Sequence, residues 1–339
     1  MKKLFVGILA MAAMAACATV DTIETPQRDA IEFGNPFVDN SVRATEADDP
    51  SYTTNSLTAF NVYGAVNGQN IFAGAEVTGT VGSNIAWTLE AGTPAQYWIA
   101  GASYTFDAVV DATDVETDAA GLPVYLEYTA DGETDMLHNR QTTVGKPADN
   151  GGMVAFTFTH LLSKVKFTVE NTTAAEATNY QYIIKNIKIT NAYASGKYAV
   201  VDQKDGENND VSAGAWFDLT AGAHSIENLT VASASTQVCA QELLLIPGAS
   251  VGVSFEVEIQ MHNGSEWVTI PMDETAYNKT YTTVATLEAN KAYNFKVVVG
   301  LGDQIQFTAT QMNGWDNGNT VDTDDPQDGT NDIVPVPAN

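Results

Sequence analysis

Val253-Ser-Phe-Glu-Val-Glu-Ile259 alternates apolar and polar residues without a break. Successive side chains of an extended chain point to opposite faces, so Val253, Phe255, Val257 and Ile259 share one face while Ser254, Glu256 and Glu258 share the other, the pattern of a half-buried strand. The same period of two recurs at Tyr293, Phe295, Val297 and Val299, and at Ile305 and Phe307. Earlier it appears at Val165, Phe167 and Val169, at Val154, Phe156 and Phe158, and at Val124, Leu126 and Tyr128. No long segment carries a 3.6-residue apolar stripe. Turn dipeptides such as Asp131-Gly132 and Asn263-Gly264 separate short strands rich in Thr, Val, Tyr and Phe. Together these signals predict an all-β chain of antiparallel sandwiches.

The chain has 339 residues, more than one core usually serves, so two domains of about 150 residues each are expected. Basic residues divide unevenly. Between Ala44 and Gly145 the only Lys or Arg is Arg140, whereas Lys164, Lys166, Lys185, Lys188, Lys197 and Lys204 cluster in the next stretch. The expected boundary therefore falls near residues 146–152, with one β-sandwich over 44–150 and a second over 151–312. A formal net charge of -27 argues against nucleic acid as a partner, because a phosphate backbone is bound by a surplus of Lys and Arg.

The first seventeen residues combine a basic start at Lys2 and Lys3, a short apolar run and the small residues Ala15 and Ala16 before Cys17. The run is too short for a permanent membrane helix and reads as a lipoprotein export signal over 1–17, with Cys17 as the lipidated residue. An ordinary secretory peptide with an incidental cysteine is the alternative; either reading takes the chain out of the cytoplasm. Residues 18–43 follow as a propeptide-like leader holding Ile31-Glu-Phe-Gly-Asn-Pro-Phe-Val38, an apolar strand candidate, and closing at Val42-Arg43-Ala44. Residues 44–56 read as an exposed polar linker. Residues 313–339 are rich in Asp, Asn, Gly and Thr and cannot build a core, but end in the apolar patch Ile333-Val-Pro-Val-Pro337.

No residue pattern in the chain points to catalytic or metal chemistry. Gly248-Ala-Ser-Val-Gly252 matches a nucleophile elbow, but it joins two predicted strands instead of a strand and a helix. His138, His160, His224 and His262 stand apart with no zinc-ligand spacing, and His160 reads as a satisfied histidine beside a core strand. The acidic run from Asp322 to Gly329 fails the EF-hand spacing, with Pro326 intruding, and reads as solvated linker. Asp111, Asp114, Glu116 and Asp118 are irregularly spaced on a loop. Trp87, Trp98, Trp216 and Trp267 are better core residues than sugar platforms. With Cys17 lipidated, Cys239 has no intrachain partner and reads as a buried, inert thiol. No cofactor, metal or enzymatic activity is expected.

Four features in order resemble the fimbrillins, the pilin-like lipoproteins of Bacteroidales that build type V pili. They are the lipobox ending at Cys17, the leader strand Ile31–Val38 followed by Arg43-Ala44-Thr45, the run Phe156-Thr-Phe-Thr-His-Leu-Leu-Ser-Lys-Val-Lys-Phe167, and Tyr293–Val299 with Ile305-Gln-Phe307 and Trp315. The resemblance implies two tandem transthyretin-like sandwiches and a structural subunit of an adhesive surface pilus. It implies an outer-membrane lipoprotein precursor and an arginine-specific protease cutting between Arg43 and Ala44, with Arg28 as the other candidate. Cleavage would remove the strand carrying Ile31, Phe33, Phe37 and Val38, and a strand from another pilus subunit would fill the slot. Ile333, Val334 and Val336 are the candidate donor residues. Pro335 and Pro337 lack an N–H, so that donor bonds through only part of its backbone, and a strand nearer Ile305 to Gln311 is the alternative. The competing function is a surface lipoprotein that binds glycans or host ligands without polymerising.

Overall fold

In the computed structural model the described residues are 29–38, 56–80, 87–174, 179–226, 228–232, 234–239, 241–270, 278–300 and 305–311. Among them the chain is all-β. The strands of its first part are β1 (Phe37–Val38), β2 (Ala59–Val66), β3 (Gln69–Thr78), β4 (Thr88–Leu89), β5 (Ser103–Val110), β6 (Asp114–Thr117), β7 (Pro123–Thr129), β8 (Leu137–Val144) and β9 (Thr157–His160). There follow β10 (Ser163–Asn171), β11 (Tyr180–Ala199), the short hairpin β12 (Gln203–Lys204) and β13 (Asp210–Val211), β14 (Trp216–Ser225), β15 (Leu229–Ala232), β16 (Ser235–Val238) and β17 (Leu243–Leu245). The last are β18 (Ser250–His262), β19 (Trp267–Thr269), β20 (Asn278–Thr286), β21 (Lys291–Val299) and β22 (Gln306–Gln311).

The alternation read at Val253 to Ile259 is observed in β18. Val253, Phe255, Val257 and Ile259 are buried while Ser254, Glu256 and Glu258 are half-buried. These residues face Val165, Phe167 and Val169 of β10 and Tyr293, Phe295, Val297 and Val299 of β21 across one core. Two sheets enclose that core. One has the order β16-β10-β21-β22 with β17 also on β10; the other runs β19-β18-β11-β7-β6, with β14 and β15 on β11 and β20 on β18. The Phe167 and Phe255 rings, 6.4 Å apart and edge-on, span the gap between them. Most pairs are antiparallel, but β10 and β21 run parallel. They come from opposite ends of this part of the chain, so no hairpin dictates their relative direction.

The earlier strands form a seven-stranded sheet, β1-β9-β8-β5-β2-β3-β4. Its β2–β3 hairpin turns on Asn67-Gly68, with φ of 47° and 76°. A two-residue hairpin turn of this hand places both central residues at positive φ, where Asn and Gly fit best. The inner face carries Phe60, Val62, Phe72, Val77, Tyr104, Phe106 and Phe158. A third cluster lies where the two regions meet, built from Val109, Leu126, Tyr128, Met136, Leu161, Leu162, Val200, Leu244 and Ile246. Within it the Tyr128 hydroxyl donates to the Thr134 carbonyl, and burial pushes that phenol far above its ordinary range. β11 carries the connection: its first half pairs with β18 and its end pairs with β7 at Ser195–Ala199. Asn186 and Asn191, at φ 50° and 59°, sit at register shifts of this long strand, since Asn tolerates the left-handed region that a bulge demands.

The isolated Arg140 also finds its reason here. Asp107 on β5 is wholly buried and lies opposite Arg140 on β8. Arg140 Nε and Nη2 donate to the carboxylate at 2.8 and 2.9 Å, and His138 Nε2 lies 2.8 Å from Oδ1. Removing one partner of a buried ion pair leaves an uncompensated charge and typically costs about 3–5 kcal/mol. Arg140→Met is expected near the low end, about 3 kcal/mol, because His138 remains beside Asp107. A denaturant melt reads this directly; a loss below about 0.5 kcal/mol, the range of an ordinary surface change, would show that the pair contributes little.

Candidate functional site

Residues 29–38 lie in a groove with backbone partners on both sides. On one side Trp98 N–H donates to Asp29 O at 2.9 Å, Ile31 N–H to Gln96 O at 2.8 Å and Trp87 N–H to Phe33 O at 3.0 Å. On the other, Val154 N–H donates to Glu32 O, Gly34 N–H to Val154 O and Phe37 N–H to Phe156 O, each at 2.8 Å. Phe37 and Val38 then pair in parallel with Thr157 and Phe158 of β9. Trp87 immediately precedes β4, at one end of the seven-stranded order, and Val154 leads into β9 near the other. The segment therefore bridges the two ends of the sheet and closes it.

Its side chains complete the core. Phe33 is 1% exposed and sits among Phe60, Phe72, Phe106 and Phe156, with ring centroids 5.6 to 6.3 Å away. Ile31 and Val38 are buried beside it. The burial alternation slips by one residue at Gly34-Asn35, so Pro36 and Val38 point inward. Phe37 consequently faces outward and is 51% exposed. Asn35 turns its side chain back and accepts a hydrogen bond from Trp87 Nε1 at 3.0 Å. The entrance is held by Lys146 Nζ, 2.9 Å from Asp29 Oδ2. Both groups are substantially exposed, so that pair adds little.

The residues that receive this segment were only partly visible beforehand. Val154, Phe156 and Phe158 showed a period of two, but the opposite rail, Gln96 to Trp98, belongs to an irregular loop with no such period. Its one legible signal is the apolar run Tyr97-Trp-Ile99, in which Trp98 is buried edge-on against Tyr104 at 4.8 Å. Cys17, Arg28, Arg43, Ala44, Trp315, Ile333, Val334 and Val336 lie outside the described residues. The alternative donor, Ile305 to Gln311, coincides with β22, which pairs with β21 and buries Phe307 in its own core.

Elsewhere the residues weighed for chemistry have structural surroundings. His160 Nδ1 lies 2.7 Å from Asp135 Oδ2, both side chains fully buried. Ser250 opens β18 directly after β17, so the Gly248 to Gly252 pattern joins strand to strand. Cys239 is buried among apolar residues. Trp87 and Trp98 belong to the core, Trp216 is half-buried, and Trp267 is 40% exposed beside His262. Among the described residues no group of three His, Cys, Asp or Glu side chains is placed to hold a metal ion.

The fold is thus an all-β chain whose first sheet is closed by its own N-terminal segment, residues 29–38. The sequence model of the fimbrillin-like family matches residues 43–315, and the chain belongs to that family. It is thereby a pilus-related structural protein of the cell surface. No curated protein matches the chain. Among solved structures it is similar to a fimbrial protein from Bacteroides vulgatus, at 12% identity and a TM-score of 0.47, covering 84% of this chain and 99% of that one. A putative cell adhesion protein from Bacteroides uniformis gives 17% identity and a TM-score of 0.46, with 84% and 98% covered. The fimbrial anchor protein Mfa2 from Porphyromonas gingivalis gives 13% and 0.35, with 86% and 98% covered.

Proposed function

We propose that this chain is a structural subunit of an adhesive pilus that polymerises by strand exchange after proteolysis. The precursor is a lipoprotein anchored to the outer membrane through Cys17, with 1–17 as its signal, 18–43 as the leader and a donor tail over 313–339. An arginine-specific protease cuts before Ala44. The leader departs, and Ile333, Val334 and Val336 of another subunit enter the slot.

One observation carries this reading: residues 29–38 are bonded on both edges and insert Ile31, Phe33 and Val38 into the core, and their covalent link to the strands they complete runs through the single stretch 39–55. A strand so placed is separable by one cut. Its loss exposes backbone groups on both rails together with an aromatic slot, a template for strand addition. A donor leaving one subunit and entering the next makes a head-to-tail contact that propagates instead of closing.

Two variants test the reading together. Arg43→Ala is expected to keep the leader in place and the protein lipidated, and deletion of Ile333 to Asn339 is expected to leave a processed but unassembled subunit. Electron microscopy of surface material should show filaments from neither. Normal filaments from Arg43→Ala, with Arg28 also uncut, would sink the processing step; normal filaments from the deletion would sink the donor assignment.

A further inference from the structure

Lys166 lies on β10 on the face opposite Val165, Phe167 and Val169, yet it is only 7% exposed. Its register partner on the parallel strand β21 is Asn294, itself 8% exposed. On the other side of β10, Glu242 precedes β17 and places Oε1 2.7 Å from Lys166 Nζ at 5% exposure. Thr168, one step along the same face, donates its hydroxyl to Asn294 Oδ1 at 2.7 Å. A primary amine, a side-chain amide and a carboxyl group are thus placed on one buried face, at neighbouring register positions. Adjacent strands lie about 4.8 Å apart, within the span of a lysine side chain.

We propose that Lys166 and Asn294 condense to an intramolecular isopeptide bond, with Glu242 as the proton carrier. Burial disfavours the ammonium form, and Glu242 accepts the proton that frees the amine. The Lys166 nitrogen attacks Asn294 Cγ, and the Thr168 hydroxyl stabilises the charge that develops on Oδ1. The Nζ–Cγ bond forms and the Cγ–Nδ2 bond breaks. Of the three ammonium protons, one stays on the new amide nitrogen, one passes through Glu242 to the departing Nδ2, which leaves as ammonia, and one remains on the Glu242 carboxyl. Neither an oxidant nor an external co-reactant is needed.

Lys164 offers an internal comparison. Its Nζ lies 3.4 Å from Glu242 Oε2 and it is still more deeply buried, but its partner on β21 is Ala292, which has no side-chain carbonyl to attack. The bond would tie β10, the first strand of the later core, to β21 near its end. Tension along the chain would then bypass the strands between them. The chemistry stands on these four side chains and does not depend on how the subunit assembles.

Intact-mass measurement and peptide mapping of the full-length chain test the bond. The expected mass is lower than that of the sequence by one ammonia, with a branched peptide joining Lys166 to Asn294 and no tryptic cleavage after Lys166. Glu242→Gln keeps the size of the side chain and removes the carboxyl, and is expected to give the full sequence mass with Asn294 intact. Two separate linear peptides from the wild-type chain, or a branch at Lys164, overturn the proposal. Complete linkage in Glu242→Gln overturns the role of Glu242. The wild-type mass decides the bond even if that variant does not fold.

Discussion

A chain that begins at Ala44 is expected to lose most of the stability of its N-terminal core, and a synthetic peptide of residues 29–38 is expected to restore part of it. Three apolar side chains leave the core with the leader: Ile31, Phe33 and Val38. At about 1.5–3 kcal/mol for each fully buried apolar side chain, their removal costs on the order of 5–9 kcal/mol. That is comparable with the whole stability of a typical domain, about 5–15 kcal/mol. The backbone groups of Val154, Phe156, Trp87, Gln96 and Trp98 also lose their leader partners. Added in trans at about a hundred times its dissociation constant, the peptide should return about 2.7 kcal/mol by mass action. Near-ultraviolet circular dichroism of the aromatic cluster during a thermal melt follows both effects. Equal melting of the shortened and full-length chains would show that the groove closes without a strand and has nothing to offer a donor.

The second large effect separates two phenylalanines four residues apart. Phe33→Ala removes the ring that touches Phe60, Phe72, Phe106 and Phe156, and is expected to cost about 3–5 kcal/mol, the usual range for a buried Phe truncation. Phe37→Ala removes a half-exposed ring on the outer face and is expected to cost less than about 1 kcal/mol. Denaturant midpoints of the two variants measure the contrast directly. Equal losses would mean that the slip at Gly34-Asn35 is absent in solution and that Phe37 packs inward.

Both effects depend on a segment whose existence was readable from its composition and whose pairing was not. Ile31 to Val38 stands out as an apolar run in a polar leader. The sequence marks one rail, through the period of two at Val154, Phe156 and Phe158, but gives no strand period for the other, because Gln96 to Trp98 is an irregular loop that pairs with the segment through its backbone. Phe37 and Val38 are equally apolar neighbours; the choice of Val38 as the inward residue follows from the slip at Gly34-Asn35, which lets Pro36 and Val38 continue the buried row. Arg140 was conspicuous by its isolation, but nothing near it in sequence pointed to Asp107, thirty-three positions away.

Period-two alternation in strands such as Val253–Ile259 by itself determined that this is an all-β protein and which residues form most of its core, because an extended backbone assigns alternate side chains to opposite faces whatever it pairs with. Tertiary structure alone decided which strands become neighbours, that β10 and β21 run parallel, that β7 joins the sheet of β11, and that Lys166, Asn294 and Glu242 share one buried face. Those outcomes depend on pairings between residues far apart in the chain. Local patterning is indifferent to such partners, because each is selected by the joint burial of whole sheet faces.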